Sequence, residues 1–338
     1  MNDCLLDSRY DDDQASTYVL NDIQTRARDA VIRKMESGAY RLEIYPCATC
    51  GGDSFDIVAK KDRYGLPLSA AVCTSCGLLQ TNPRMDTQSC KEFYEQEYRP
   101  LYVGKPGPDD QFFNGQILQG ERIESFLESN MILDWRGLRV LEVGCGAGGI
   151  LSHFKSLGAT VKGCDLGPEY LEYGREHHVL DLQKGPINGV DHDAPYDLII
   201  YSHVFEHVLD PLAELEEVKK LLAPQGRLFL EVPGIHNIRN NYRCDFLRLL
   251  QNAHVFHFTL SSLNHLLRRG GFQLVAGTEY VQAIYRHAPD EPFSAQSDYA
   301  AVMAGLKKYE RLRPVSRYLP GNIMRVIRLN LKRLTGAS

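Results

Sequence analysis

The run Leu138-Arg139-Val140-Leu141-Glu142-Val143-Gly144-Cys145-Gly146-Ala147-Gly148-Gly149 limits the fold more than any other stretch of this chain. An apolar segment that ends in closely spaced glycines reads as a buried strand turning sharply into a helix. Glycine accepts positive φ and lets the backbone approach a ligand. The free amides at the start of the next helix then face that ligand. These residues are expected to form a cofactor-binding turn. Taken literally, Gly144, Gly146 and Gly149 also spell the dinucleotide pattern G-x-G-x-x-G, with Asp165 about twenty residues on. On this run alone, a nicotinamide cofactor and a tight turn with no ligand both stay open.

The surrounding pattern predicts an α/β fold. From Leu138 to about Arg286, strand-like and helix-like segments alternate, as in a parallel sheet covered by helices. Strands are expected at Leu138–Val143, Thr160–Cys164, Val179–Gln183, Pro195–Tyr201 and Arg227–Val232, then a hairpin of Phe272–Ala276 and Gln282–Arg286. Helices are expected at Gly148–Leu157, Pro168–His177, Pro211–Leu222 (ended by Pro224-Gln225-Gly226) and Leu260–Arg269. Upstream, a helix is expected around Asp22 to Glu36. Residues 86–130 read as mostly helical, broken at Pro100 and at Gly104–Pro108.

Composition narrows the class. The 338 residues suffice for about two domains, and a net charge of −5 gives no global attraction to nucleic acid. The chain has no apolar run long enough to read as a membrane span. Its start lacks the basic and apolar regions of a signal peptide, and the acidic stretch Asp3 to Asp13 reads as a disordered tail. Nine cysteines, an odd number, suit a reducing cytoplasm and a metal site better than a disulfide framework.

The alternating region resembles the class I S-adenosylmethionine-dependent methyltransferases. The residues that carry the resemblance are Leu141 to Gly148, Asp165, Tyr196-Asp197-Leu198-Ile199-Ile200, Glu206-His207, and Leu221-Leu222-Ala223-Pro224-Gln225-Gly226-Arg227-Leu228, in family order and spacing over roughly residues 110–286. The resemblance implies a Rossmann-like seven-stranded sheet with S-adenosylmethionine as methyl donor, and it displaces the nicotinamide reading. It implies donor contacts from Glu142, Gly144, Cys145, Gly146 and Gly148 at the first turn, from Asp165 and Leu166, and from Ile187, Ser202 and His203. Asp165 is expected to accept both ribose hydroxyl hydrogens; the plainer role for it is a helix N-cap. The chain departs from the family at Pro186-Ile187, where an acid usually follows the glycine, so Ile187 is expected only as a packing contact for adenine.

Methyl transfer to oxygen or carbon needs an aligned acceptor and a general base. His203 follows the fourth predicted strand, at the carboxyl edge where α/β sheets bind ligands. After the fifth strand a segment of about twenty-five residues carries Asn241, Tyr242, Arg243 and then His254-Val255-Phe256-His257-Phe258-Thr259. Insertions at this edge build acceptor pockets, and the H-x-x-H-F-[ST] run resembles a feature of sugar and small-molecule methyltransferases. His203, His254 and His257 are the candidate bases. Their plainer roles are donor lining, helix capping or burial against backbone. His203-Val204-Phe205-Glu206-His207 also spells the zinc-peptidase pattern H-x-x-E-H, a reading that its place inside a cofactor domain excludes. Some members of the resembled family hold a divalent metal with E-x-x-E-H and a distant histidine. Here His203 replaces the first acid, so Glu206 and His207 are either part of a second divalent-metal site or a structural pair.

Cys47-Ala48-Thr49-Cys50, then twenty-two residues, then Cys73-Thr74-Ser75-Cys76, has zinc-ribbon spacing, with a glycine after each pair. A site of four cysteines is coordinatively closed and is expected to hold structural zinc. Zinc ribbons also bind nucleic acid, which makes an RNA methyltransferase the first rival reading. The near-neutral balance of residues 41–85 argues against it. With Gly77 to Arg84 and Phe93 to Tyr98, the resemblance sharpens to bacterial methyltransferases with an N-terminal zinc-binding domain, which include sugar and natural-product C- and O-methyltransferases. In that group a tyrosine-rich helix covers the active site, and Tyr94, Tyr98 and Tyr102 become candidate substrate contacts; a core stripe is the alternative.

The expected division is an N-terminal extension, partly disordered (1–40), a zinc ribbon (41–85), a helical connector or lid (86–130), a methyltransferase domain (131–290) and a basic helical tail (291–338). The tail, with Arg325, Arg328, Lys332 and Arg333 beside an apolar face of Ile323, Val326, Ile327, Leu331 and Leu334, suits either packing on the domain or peripheral contact with an anionic membrane. The expected activity is methylation of a sugar, nucleotide-sugar or related small metabolite. A non-catalytic scaffold with a vestigial donor fold is the second rival.

Overall fold

The computed structural model describes residues 1–105, 107–131, 134–191, 194–288 and 296–318. Strands β1 (Asn2–Asp3), β2 (Leu42–Glu43), β3 (Phe55–Lys61), β4 (Pro67–Cys73), β5 (Leu79–Thr81) and β6 (Arg84–Met85) precede the glycine turn. Strands β7 (Arg139–Val143), β8 (Thr160–Asp165), β9 (Leu182–Lys184), β10 (Tyr196–Ser202), β11 (Leu222–Glu231), β12 (Phe256–His257), β13 (Phe272–Gly277) and β14 (Gln282–His287) span the alternating region. Seven of them make the central sheet, in the order β13-β14-β11-β10-β7-β8-β9. Strands β7 to β11 run parallel; β14 pairs antiparallel with β11, and β13 antiparallel with β14, the two forming the expected hairpin.

Alternation along these strands builds a core on each face. Val140, Leu198, Ile200 and Phe229 pack with Phe154, Ile123 and Leu127, under helices Asp110–Asn130 and Gly149–Ser156. Leu141, Val143, Ile199, Leu228 and Leu230 pack with Leu215, Val218 and Leu263, under helices Pro211–Leu221 and Leu260–Arg269. Burial on both faces is why these strands read as continuous apolar runs. Each such side chain contributes about 1.5–3 kcal/mol on leaving water.

The structure moves several expected boundaries. β11 starts at Leu222, directly after the helix, because Leu222 pairs with Tyr196 and a register shift before Leu198 absorbs Pro224-Gln225-Gly226. The expected break at Pro100 falls slightly earlier: the helix Thr87–Gln96 ends four residues before the proline, whose ring cannot bond the Gln96 carbonyl, and Pro100 itself sits in the first turn of a new short helix, Tyr98–Tyr102. The acidic lead is not a tail: β1 pairs parallel with β3, Asp3 and Asp13 meet Lys60 and Lys61, and Tyr10 is fully buried beside Phe246 with its hydroxyl on Glu310 at 2.6 Å. One buried tyrosine and a few ion pairs are enough to anchor a segment whose composition reads as disordered.

A second sheet runs β1-β3-β4-β5-β12. Both its edges come from outside residues 41–85: β1 from the lead and β12 from the insertion after β11. Strands β2 and β6 pair separately. The C-terminal helix Tyr299–Leu312 buries Val302, Met303, Leu306 and Tyr309 in the cluster that holds Tyr10 and Phe246. The basic amphipathic face expected at residues 323–334 lies outside the described residues.

Candidate active site

At the end of β7 the chain needs glycine. Gly144 and Gly148 have φ of 72° and 80°. A Cβ on Gly144 would stand 2.3 Å from Val204 Cγ2, and one on Gly148 2.8 Å from Leu180 Cδ1. The turn is closed from outside by Gln116, whose side-chain amide donates to Cys145 O at 2.9 Å and accepts from Gly149 N–H at 3.2 Å. Asp165, at the end of β8, is pinned against the turn: Oδ2 accepts from Gly146 N–H at 2.8 Å and Oδ1 from Gly167 N–H at 2.7 Å. Arg99 Nη2 lies 3.6 Å from Oδ1, and its guanidinium sits 4.1 Å over the Tyr170 ring. Neither Gln116 nor Arg99 carries a motif; each reaches the turn from a connector helix.

The other expected donor residues are placed unevenly. Leu166 is half exposed beside Asp165, and Ile187 is buried on the short turn Ile187–Gly189. The Cys145 thiol is buried, close against Gly163. Glu142 is buried with Oε2 unpaired, and burial, with the nearby Asp165 charge, pushes its carboxyl well above the usual range. Ser202 Oγ lies 3.4 Å from Glu231 Oε2.

After β10 the backbone turns at His203, whose φ is 57° and whose N–H donates to Glu231 O at 2.7 Å. The turn Phe205–His207 then buries Glu206. Glu206 Oε1 lies 3.8 Å from each of His203 Nδ1, His207 Nε2 and His254 Nε2, and neither carboxylate oxygen has a hydrogen-bond partner. His207 Nδ1 lies 3.0 Å from Ala253 O and 2.8 Å from Tyr94 Oη. A carbonyl only accepts, so Nδ1 is the protonated nitrogen in the first contact and Nε2 faces Glu206.

The three candidate bases differ in setting. His203 is the exposed one, with 54% of its side chain accessible. Packing works to lower its pKa, but Glu206 outweighs that and the net shift is upward. His254 is buried, and burial holds its pKa well below normal. His257 is buried deeper behind it, rings 5.6 Å apart, with neither nitrogen bonded and its pKa pushed down to about 3 by burial.

The connector brings its tyrosines to this cluster. The Tyr94 and Tyr98 rings pack at a tilt with centroids 4.6 Å apart, Tyr98 and Tyr102 likewise at 4.9 Å, and the Tyr98 ring meets His207 edge-on at 5.9 Å. Tyr102 Oη accepts from Ala253 N–H at 3.1 Å. Asn241, Tyr242 and Arg243 are not brought to it: Asn241 and Arg243 are exposed, and Tyr242 packs against the cluster of Tyr10 and Phe246.

The four cysteines of the two pairs converge. Cys47 Sγ and Cys76 Sγ are 3.4 Å apart, Cys50 Sγ and Cys73 Sγ 3.5 Å, and all four sulfurs lie within 4.8 Å of one another. Gly51 N–H donates to Cys47 O and Gly77 N–H to Cys73 O, both at 2.8 Å, which closes the two turns. Arg269 Nη1 clamps the first turn by donating to Ala48 O and Thr49 O, each at 2.9 Å.

Comparison with known proteins matches part of the chain to methyltransferases. Residues 118–276 match the family model of a methyltransferase domain. The ubiquinone biosynthesis O-methyltransferase of Xanthomonas oryzae pv. oryzae (strain PXO99A) is 34% identical over 105 residues, 29% of this chain and 44% of that protein. The enzyme of the same name from Xylella fastidiosa (strain 9a5c) is 37% identical over 101 residues, 28% of this chain and 41% of its own. The chain thus spans less than half the length of these curated relatives. Among solved structures, magnesium protoporphyrin IX methyltransferase from Synechocystis PCC 6803 aligns with a TM-score of 0.42 and 16% identity, over 59% of this chain and 98% of that one. A domain of the S-adenosylmethionine-dependent methyltransferase kind is present in the chain.

Proposed function

We propose that this chain transfers a methyl group from S-adenosylmethionine to an oxygen or carbon of a sugar, nucleotide-sugar or related small metabolite, in glycan or natural-product biosynthesis. One juxtaposition carries the reading: a pinned acid, Asp165, at the end of β8, and a histidine–glutamate cluster after β10, on the same edge of one sheet. The curated relatives, named as O-methyltransferases, favour oxygen as the acceptor atom.

When bound, the donor's sulfonium supplies both the methyl group and the leaving group. The protein's part is to bind, align and move one proton. Asp165, already held by two backbone amides, accepts from the donor ribose hydroxyls. Tyr94, Tyr98 and Tyr102 wall the histidine cluster and keep water from the acceptor side. His203, the exposed ring, takes the acceptor proton, and the buried Glu206 opposes the charge that forms on it. His254 is the alternative base from the insertion, a role open to it only with no cation on its Nε2.

Two metal readings go with this proposal. Four sulfurs at these separations suit tetrahedral zinc, whose ligand–ligand edge is about 3.8 Å for bonds near 2.3 Å. The ion would be structural and would tie Cys47, Cys50, Cys73 and Cys76. Glu206, His207 Nε2 and His254 Nε2 also fit a divalent cation, and the unpaired, buried oxygens of Glu206 favour that second site. We read residues 41–85 as the metal-held module, 86–130 as the lid and 131–290 as the catalytic domain.

Calorimetry of the full chain with S-adenosylhomocysteine tests the donor site. Mass spectrometry of small metabolites in cell extract, with isotope-labelled donor, tests the transfer. Binding plus a metabolite that gains the labelled methyl is expected. No binding and no labelled metabolite would overturn the proposal.

A further inference from the structure

His254 belongs in space to the sheet that carries the cysteines. β12, only two residues long, lies antiparallel to β5, with Phe256 opposite Gln80 and His257 opposite Leu79. The fixing contacts fall just before it. Thr81 N–H donates to Val255 O, and Thr81 Oγ1 donates to His254 O, both at 2.8 Å. Val255 N–H donates to Glu206 O at 2.9 Å. The backbone of residues 254 and 255 is thus strung between Thr81 on one side and the Glu206 turn on the other. β5 itself starts directly after the second cysteine turn, where Cys73 N–H donates to Leu78 O at 2.9 Å. Thr81 is buried, so a hydroxyl lost there is not replaced by solvent.

We infer that Thr81 is a positioning residue for His254, and that through it the Cys73–Cys76 turn sets the acceptor side of the active site. This rests on the proposed methyl transfer only for its rate measurement. Without the Thr81 hydroxyl the buried His254 carbonyl loses its partner; the peptide it shares with Val255 is then held only from its N–H side, by Glu206 O, and the ring shifts relative to Glu206. Loosening of the cysteine turn acts by the same route, because it frees the start of β5. Donor binding at Asp165, on β8, lies outside this chain of contacts.

The test uses full-length protein labelled with ¹⁵N-histidine, the His254 ring signals being those lost in His254→Gln. In Thr81→Val these signals are expected to shift while those of His177 and His236 stay in place. In Thr81→Ser they return to their wild-type positions. Labelled-methyl incorporation in extract is expected to fall at least about fivefold in Thr81→Val, the scale of one lost hydrogen bond. It should recover in Thr81→Ser, with S-adenosylhomocysteine affinity unchanged throughout. Cys76→Ser is expected to shift the same His254 signals. Wild-type His254 signals in a folded Thr81→Val protein overturn the inference. So does displacement of all histidine signals alike in both Thr81 variants, which would mark a general folding defect. If wild-type protein transfers no methyl, the proposed function fails, and the ring signals still decide the role of Thr81.

Discussion

Asp165 spends its carboxylate on two backbone amides before any ligand arrives, and that fixes what its removal does. Asp165→Ala should weaken S-adenosylhomocysteine binding by about 1–3 kcal/mol, the value of hydrogen bonds to a charged group. Affinity equal to wild type in calorimetry would remove the ribose role. At this scale the sequence was readable where backbone geometry demands a residue type: glycine at positive φ, an acid at a strand end. Arg99 and Gln116 escaped notice because a long side chain reaching in from a helix leaves no periodic trace. The Glu206 cluster was readable as residues but not as a shape. Nothing in the spacing of His203, Glu206 and His207 says that His254 joins them at the same 3.8 Å.

Elements tell a similar story, and two of them yield predictions. The helices Asp22–Glu36 and Leu260–Arg269 match their expected bounds, because each opens with a capping box that pairs its N-cap with the residue three further on. β12 was missed, since two residues cannot show a period of two. Elemental analysis should find zinc in wild-type protein, and Cys73→Ser should lose it together with stability, read as a lower urea midpoint. Asp62 sets a second, pH-dependent test. It is fully buried at the β3–β4 turn and accepts from Tyr64, Leu66 and Asn252 N–H at 2.8, 3.0 and 2.9 Å. Burial nevertheless pushes its pKa up to about 6. Unfolded, the carboxyl titrates near 3.9. The folded state therefore holds the proton more tightly, and stability falls as pH rises from about 4 through 6. The loss from this group should approach about 3 kcal/mol by pH 7. Asp62→Asn should flatten that slope in urea melts; a slope equal to wild type would show that Asp62 is not its source.

For the whole molecule, alternation and motifs revealed the central sheet, but not the way the ends of the chain return to it. The acidic lead packs through Tyr10 onto Phe246 and Glu310, residues 236 and 300 positions or more away in the sequence, and no local pattern announces a contact of that range. Tyr10→Ala should destabilise the full chain by about 3–5 kcal/mol, as loss of a large buried ring does, read as a drop in melting temperature. A change below about 1 kcal/mol would return the lead to the status of an appendage.

The second sheet borrows a border strand from deep inside the alternating region. Anyone trimming this protein for expression should note what that means. A gene fragment opening near residue 131 would still encode the donor turn, yet it would leave Phe256 and its neighbours with an unpaired, greasy rim where β5 used to lie. Bare rims of that kind recruit other chains. Such a fragment would tend to clump, and an inert precipitate from it would say nothing about the chemistry of the intact molecule.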